Sequence, residues 1–403
     1  VLVTFDDGNG PALYVGGGFT TAGGVTVNHI AKWDGSSWSP LGEGMNGDVF
    51  ALTVFDDGTG PALYAGGIFT TAGGVPANRV AKWDGKAWTA LGEGVDGVSS
   101  FWVYDFAVFD DGTGPALYVG GNFDTAGGLP ASSIARWDGN TWSSVGGGVS
   151  GGTGGEVRAL TVFNDGSGPA LYAGGSFTLA GDATVNRVAK WDGNAWFSLA
   201  GGMNERVRAL TVYDDGTGAA LYAGGDFIQA GGVAASKIAK WDGNAWSSLG
   251  GSTNNTVRTF GVFDDGSGEA LFAGGGFDII GGASANSIAK WDGSTWTALG
   301  SGITGYVAAL ASFDDALIVG GFFTFAGGQP ANRIAEWRGC ADSALCSGDT
   351  NGDGVVNFTD LNAVLTSFGQ SVPPGTGGDV NDDGVVDFAD LNEVLANFGV
   401  ECR

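Results

Sequence analysis

The sequence predicts an all-β propeller of seven four-stranded blades, followed by a small α-helical loop–helix module. Three observations carry that prediction. The first 345 residues are built from a seven-fold internal repeat, each repeat has a strand–turn pattern with no helical period, and two twelve-residue acidic loops lie near the C-terminus.

Self-similarity at a fixed period marks repeat architectures. The element Gly-Gly-x-Phe occurs seven times, ending at Phe19, Phe69, Phe123, Phe177, Phe227, Phe277 and Phe323. A Trp follows each Phe by 14 residues, from Trp33 to Trp337. A second Trp comes five residues later in six copies: Trp38, Trp88, Trp142, Trp196, Trp246 and Trp296. One unit reads as four strands. Strand a is VFALTVF (49–55), and a DDGTG turn follows, Asp-Gly being a strong hairpin signal. Strand b is ALYAGG (62–67), a long loop leads to strand c, RVAKW (79–83), and a DG turn leads to strand d, AWTALG (87–92). Four short strands cannot bury both faces alone, whereas radial stacking buries them and leaves only short edges. The blades fall near 1–46, 47–96, 97–150, 151–204, 205–254, 255–304 and 305–345. The Gly-Gly pair permits close approach near the axis, and the Trp residues fill the wider space outside.

These units resemble kelch repeats, which carry a Gly-Gly pair, then an aromatic beside a polar residue, then a Trp about six later. The match in blade two is Gly66-Gly67, Trp83-Asp84 and Trp88. The resemblance covers 1–345 and implies a propeller used for binding or for oxidase chemistry, so function has to be argued from the site.

The strand order places the a–b and c–d turns on one face and the b–c loops and d–a connections on the other. The aspartates of the DDG turns are expected to make side-chain turn bonds. Two d–a connections are four residues longer than the rest. The first holds Phe101, Trp102 and Tyr104, a candidate ligand-stacking group, and the second is GGTGGE (151–156). The simpler expectation for these aromatics is packing over the blade edge.

Blade seven departs from the pattern. Its a–b turn is shortened to DDA (314–316), and its outer strand, CADSALC (340–346), has Asp342 where other blades have Trp. The ring is then latched weakly by its own last strand, or completed by an upstream segment or another subunit. An open edge would be a pairing site.

The net charge of −26 disfavours nucleic acid and anionic lipid as partners. No apolar run reaches the roughly 18–20 residues of a membrane span. Glycine, at 78 of 403, far exceeds its roughly 7% average share, yet 14 Trp and 25 Phe argue against disorder. The chain starts without Met and reads as a mature or truncated form of a longer precursor. Cys340, Cys346 and Cys402 all follow the repeats. Three single pairings exist. Cys346–Cys402 is preferred because it brackets the acidic loops, and it implies an oxidising compartment.

Catalysis finds little support. His29 is the single histidine and sits where other repeats carry Arg, Ser or Lys, which reads as a surface position. No His or Cys cluster in the repeats is set to hold zinc or copper. Most acids recur blade by blade, which leaves no unique carboxylate pair.

Residues 349–360 (DTNGDGVVNFTD) and 379–390 (DVNDDGVVDFAD) fit a calcium loop, with ligands at positions 1, 3, 5, 7, 9 and 12 and glycine at 6. The ligand sets are Asp349, Asn351, Asp353, Val355 carbonyl, Asn357, Asp360 and Asp379, Asn381, Asp383, Val385 carbonyl, Asp387, Asp390, for two Ca2+ ions. The glycines are Gly354 and Gly384. Each loop runs into a short helix, 358–369 and 388–399, whose Leu361, Val364, Leu365, Phe368 and Leu391, Val394, Leu395, Phe398 fall at helical spacing. Both loops with Asp at position 12 and no preceding helix resemble a type I dockerin. That resemblance implies attachment of a secreted, bacterial protein to a scaffold through the helices. The positions after the ninth ligand are Phe358-Thr359 and Phe388-Ala389, where cellulosomal dockerins commonly carry a hydroxyl pair.

The sequence therefore points to a secreted, non-enzymatic adaptor, extracellular or at the cell surface. Its propeller is expected to bind a glycan or protein, and its dockerin-like module to engage a protein partner. The alternatives are a self-assembling extracellular fibre or layer and a carbohydrate-active enzyme on a propeller scaffold.

Overall fold

The computed structural model describes residues 1–97, 101–338, 348–350, 355–372, 377–381 and 383–398. The chain divides into two compact units: Val1–Val262, Leu271–Asp314 and Ile318–Ala335 form one, and Phe263–Ala270, Asp315–Leu317 and Glu336–Arg403 form the other.

The first unit is all-β. Among the described residues the repeats give seven four-stranded sheets, in the a–b–c–d order expected of sequential hairpins. In the second repeat the strands are Val49–Asp56, Pro61–Gly67, Val80–Trp83 and Trp88–Ala90. The seventh sheet reaches four only by including Gln329–Pro330 from its b–c loop. Its expected outer strand (340–346) lies outside the described residues, as do Cys340, Cys346 and Cys402.

Glycine on strand b sets the spacing between sheets. A Cβ on Gly66 would lie 2.4 Å from Val103 Cγ1 and 2.7 Å from Phe106 Cζ of the next repeat. On Gly67 it would lie 1.9 Å from the Asp48 carbonyl of its own sheet. Tryptophans fasten the second to sixth sheets each to the one before. Trp88 Nε1 donates to Leu41 O at 2.9 Å, and Trp142 Nε1 donates to Leu91 O at 2.8 Å. The same bond recurs from Trp196 to Val145, Trp246 to Leu199 and Trp296 to Leu249. Each buried cluster consequently straddles two repeats. Tyr14, Ile30 and Leu41 of the first pack with Leu63, Trp83 and Trp88 of the second.

The long b–c loop holds a two-stranded ribbon, Thr71–Ala72 with Val75–Pro76 in the second repeat. Both long d–a connections add a third strand to the next ribbon, Val95–Asp96 on Thr125–Ala126 and Val149–Ser150 on Leu179–Ala180. The ribbons were not legible as strands because each is only two residues long.

In the second unit, helices α1 (Phe358–Ser367) and α2 (Phe388–Ala396) each begin at a capping box. The core is Val356, Val364, Val386 and Val394, one pair from the loops and one from the helices. Of the residues at helical spacing, Val364 and Val394 are the ones buried. Leu365, Leu395, Phe368 and Phe398 are exposed, because so small a module fills its interior with the loop valines.

Candidate functional site

The residue that follows the strand-a valine changes in chemical character between repeats: Phe50, Tyr104, Arg158, Arg208, Arg258, Ala308. In four repeats it sits on a β-bulge, the register shifting between Val49/Ala51, Val103/Asp105, Val157/Ala159 and Val207/Ala209. A bulge re-aims its side chain. Here it turns Phe50, Tyr104, Arg158 and Arg208, with Arg258 at the matching position, into a central cavity of about 220 Å³ lined by the strands a.

One wall of that cavity is aromatic. Phe50 stacks on Trp102 at 5.5 Å and 13°, and Tyr104 lies 5.6 Å from Trp102. The other wall is cationic. The Arg158 guanidinium lies 3.9 Å over the Tyr104 ring, and Arg258 lies 4.7 Å over Tyr306. Glu156 bridges Arg158 and Arg206 at 2.9 and 3.1 Å. Asp226 receives Arg208 Nε at 3.0 Å on both oxygens and Thr256 Oγ1 at 2.8 Å. Arg258 has no carboxylate within salt-bridge distance among the described residues. Burial and the like charges of Arg208 and Arg158 lower its pKa.

Asp105 also faces the cavity, where the other repeats carry Ala or Thr. Burial pushes its carboxyl up to about 7, against amide bonds from Leu160 (2.7 Å) and Phe106 (2.9 Å). It is the non-recurring acid that sequence reading passed over. The available signal was a single Asp in a column of small residues.

The turn aspartates behave differently. Asp56 Oδ1 accepts from Gly58 and Gly60 amides, while Asp57 Oδ2 accepts Tyr64 Oη at 2.9 Å and Lys82 Nζ at 2.6 Å. The Asp–Tyr–Lys set recurs at Asp7/Tyr14/Lys32, Asp165/Tyr172/Lys190 and Asp215/Tyr222/Lys240. These are structural bonds repeated around the unit.

Residues 103–267 match the model of the Rax2 C-terminal beta propeller domain. The fold is a β-propeller. A computationally designed protein, Ika8, has a TM-score of 0.44 at 15% identity, covering 84% of this chain and 95% of its own. The WD40 beta propeller domain of Doa1 gives 0.44 at 13%, with coverages of 83% and 90%. A chain of a Mitotic Checkpoint Complex structure gives 0.45 at 16%, with 77% and 83%. No curated protein sequence matches the chain.

Within the propeller, the first insertion runs into a strand. Trp102 and Tyr104 lie in the strand Trp102–Asp110, half-buried against Phe50, and Phe101 lies under the Arg79 guanidinium at 5.0 Å. Packing draws them in because flat rings find aromatic neighbours across the bulged strands. The second insertion, Gly151–Gly155, walls a separate cavity of about 290 Å³ with Asn122, Asp124 and Ser132.

His29 corrects the surface expectation. It is half-buried, with Nδ1 3.1 Å from Asp48 Oδ1 and 3.2 Å from Gly17 O. Its φ of +69° recurs at Arg79, Ser133, Arg187, Lys237, Ser287 and Arg333, so the left-handed backbone belongs to the repeat.

Of the first calcium loop, Asn351, Asp353 and Gly354 lie outside the described residues, while Asp349, Val355, Asn357 and Asp360 are described. The ligand positions of the second loop are all described. Asp379 accepts the amides of Asp383 (3.2 Å) and Gly384 (2.9 Å), and Asp383 Oδ1 accepts from Val385 at 2.9 Å. Gly384 takes φ +83°, as the sharp turn at position 6 requires. Asp390 is buried, its oxygens accepting the amides of Val380, Asn381 and Asp387. Among the described residues no three His, Cys, Asp or Glu side chains gather as a metal-ligand group. The turn and the all-oxygen donor set fit calcium in kind, and the Asp379, Asp383 and Asp390 carboxylates are engaged by backbone amides.

Proposed function

We propose that the chain is a secreted, non-enzymatic adaptor: a seven-bladed, kelch-like propeller that serves as an interaction scaffold, joined to a dockerin-like module that binds two calcium ions. The observation that carries this reading is the duplication of the loop–helix unit down to its bonds. Asn357 and Asp360 cap α1 as Asp387 and Asp390 cap α2, each after the D-x-N-x-D-G pattern of a calcium loop. The net charge of −26 suits an extracellular calcium binder. The Asp57-type carboxylates, each held by a tyrosine and a lysine, are poor candidates for acid–base work.

Calorimetric titration of the intact chain with Ca2+ tests the reading. Two sites are expected, one of them lost in Asp379→Ala. Absence of binding heat, together with a circular dichroism spectrum indifferent to chelator, would sink it.

A second reading, self-assembly, draws on the apolar surface of the module. Phe358 and Phe388 are 71% and 69% exposed, and Leu365 and Leu395 stand beside them in the duplicated pattern. Light scattering with and without calcium separates the two readings, since growth into polymers in calcium favours assembly.

A further inference from the structure

We propose that the central cavity of the propeller binds a small organic monocarboxylate, with its carboxylate on Arg258 and its body against Phe50. This goes beyond the adaptor reading, which assigns no ligand to the cavity. Four arguments carry it.

The first is charge. The chain carries −26 overall, yet Arg158, Arg208 and Arg258 line one cavity, and Arg206 joins Arg158 through Glu156. Glu156 and Asp226 offset Arg158, Arg206 and Arg208 in part, and Arg258 is held among like charges with a ring beneath it and no carboxylate within salt-bridge distance among the described residues. Holding guanidinium groups together is costly unless an anion joins them. The second argument is count. Four cations set against Glu156, Asp226 and Asp105 leave one positive charge when Asp105 is ionised, which matches a carboxylate better than a phosphate of nearly two charges.

The third argument is shape. About 220 Å³ is below the roughly 300 Å³ at which drug-sized pockets begin, so the cavity takes one small acid or one terminal residue. The fourth is polarity. Phe50, backed by Trp102, offers an apolar surface in the same cavity as the cations, which suits a molecule with a charged end and a C–H or ring face. The asymmetry strengthens all four. Features that maintain the fold recur in the repeats, whereas Phe50 and Tyr104 give way to Arg158, Arg208 and Arg258 at one position of strand a, and Asp105 stands alone at the next.

The test uses the intact chain and isothermal titration with galacturonate and benzoate, each against its neutral counterpart, galactose or benzyl alcohol, and against inorganic phosphate. Saturable binding of one carboxylate and not of its neutral counterpart is expected, and which acid binds separates a sugar acid from an aryl acid. Arg258→Gln should weaken that binding roughly tenfold or more, the worth of one charge-assisted contact. Because Arg258 takes part in no salt bridge among the described residues, the melting temperature of this variant should stay near that of the parent. Ala308→Glu, an exposed position on the cavity rim, should weaken binding as well by adding a like charge to the ligand. No saturable carboxylate binding, tighter binding of phosphate, equal binding of the neutral analogues, or carboxylate binding unchanged in both variants would each overturn the proposal.

Discussion

At the scale of single residues, the recurring Asp–Tyr–Lys set governs behaviour in acid. Asp7, Asp57 and Asp215 are lowered to about 2: burial opposes their charge, and bonds from lysine, tyrosine and a small polar side chain outweigh it. A carboxylate lowered in the folded state contributes stability that is present above its unfolded value of roughly 4 and lost as pH falls through the folded value. The propeller should therefore hold its melting temperature down to about pH 4 and lose it steeply between pH 4 and 2, as a thermal series would record. Asp105 has the opposite sign. Its pKa of about 7 exceeds the unfolded value, so stability falls as pH rises from roughly 4 to 7. Asp105→Asn should flatten that slope and raise the melting point at pH 8, while an unchanged pH profile would count against a buried, raised carboxyl. Tyr64→Phe removes one bond to a charged oxygen and should cost about 1.5 kcal/mol by urea unfolding. The sixth repeat, with Phe272 at that position, shows that the repeat accommodates the loss.

At the scale of elements, the packing between neighbouring sheets rests on two small features. Gly66→Ala places a methyl 2.4 Å from Val103, and a well-packed interior answers overpacking with roughly 1–3 kcal/mol of destabilisation. Gly58→Ala meets nothing within 4 Å, so its cost is confined to a backbone φ of +95°. Comparing the two by chemical denaturation separates close approach from turn strain. Trp142→Phe removes the bond to Leu91 O and part of a buried ring, with an expected loss of roughly 1–3 kcal/mol. These elements were legible in the sequence because their residues recur at a fixed period. The two-residue ribbons were not, since a strand of two residues has no alternation to read. The bulges were equally hidden. Valine followed by Phe, Tyr or Arg looks like ordinary alternation until the partner strand shows a residue too many.

At the scale of the whole molecule, the two units should respond separately to calcium. Binding to the folded loops alone stabilises them by mass action. Chelation should remove or lower the melting transition of the C-terminal module and leave the propeller transition in place, a result scanning calorimetry of the full chain can read. A propeller transition that moved with chelator would assign calcium to the repeats instead.

The sequence by itself determined the four-stranded repeat and the positions of its turns, because Gly, Trp and Asp-Gly act locally and recur from repeat to repeat, Asp-Gly in six of the seven. It likewise determined the composition of the acidic loops, where ligand spacing along one short segment suffices. Tertiary structure alone decided which residues meet at the centre. Phe50, Tyr104, Asp105, Arg158, Arg208 and Arg258 are separated by about fifty residues at each repeat, and no local rule joins them. Radial stacking brings the strands a to one axis, and the bulges turn one side chain from each toward it. A difference that is a scatter of single letters along the chain thereby becomes a cavity with one aromatic wall and one cationic wall.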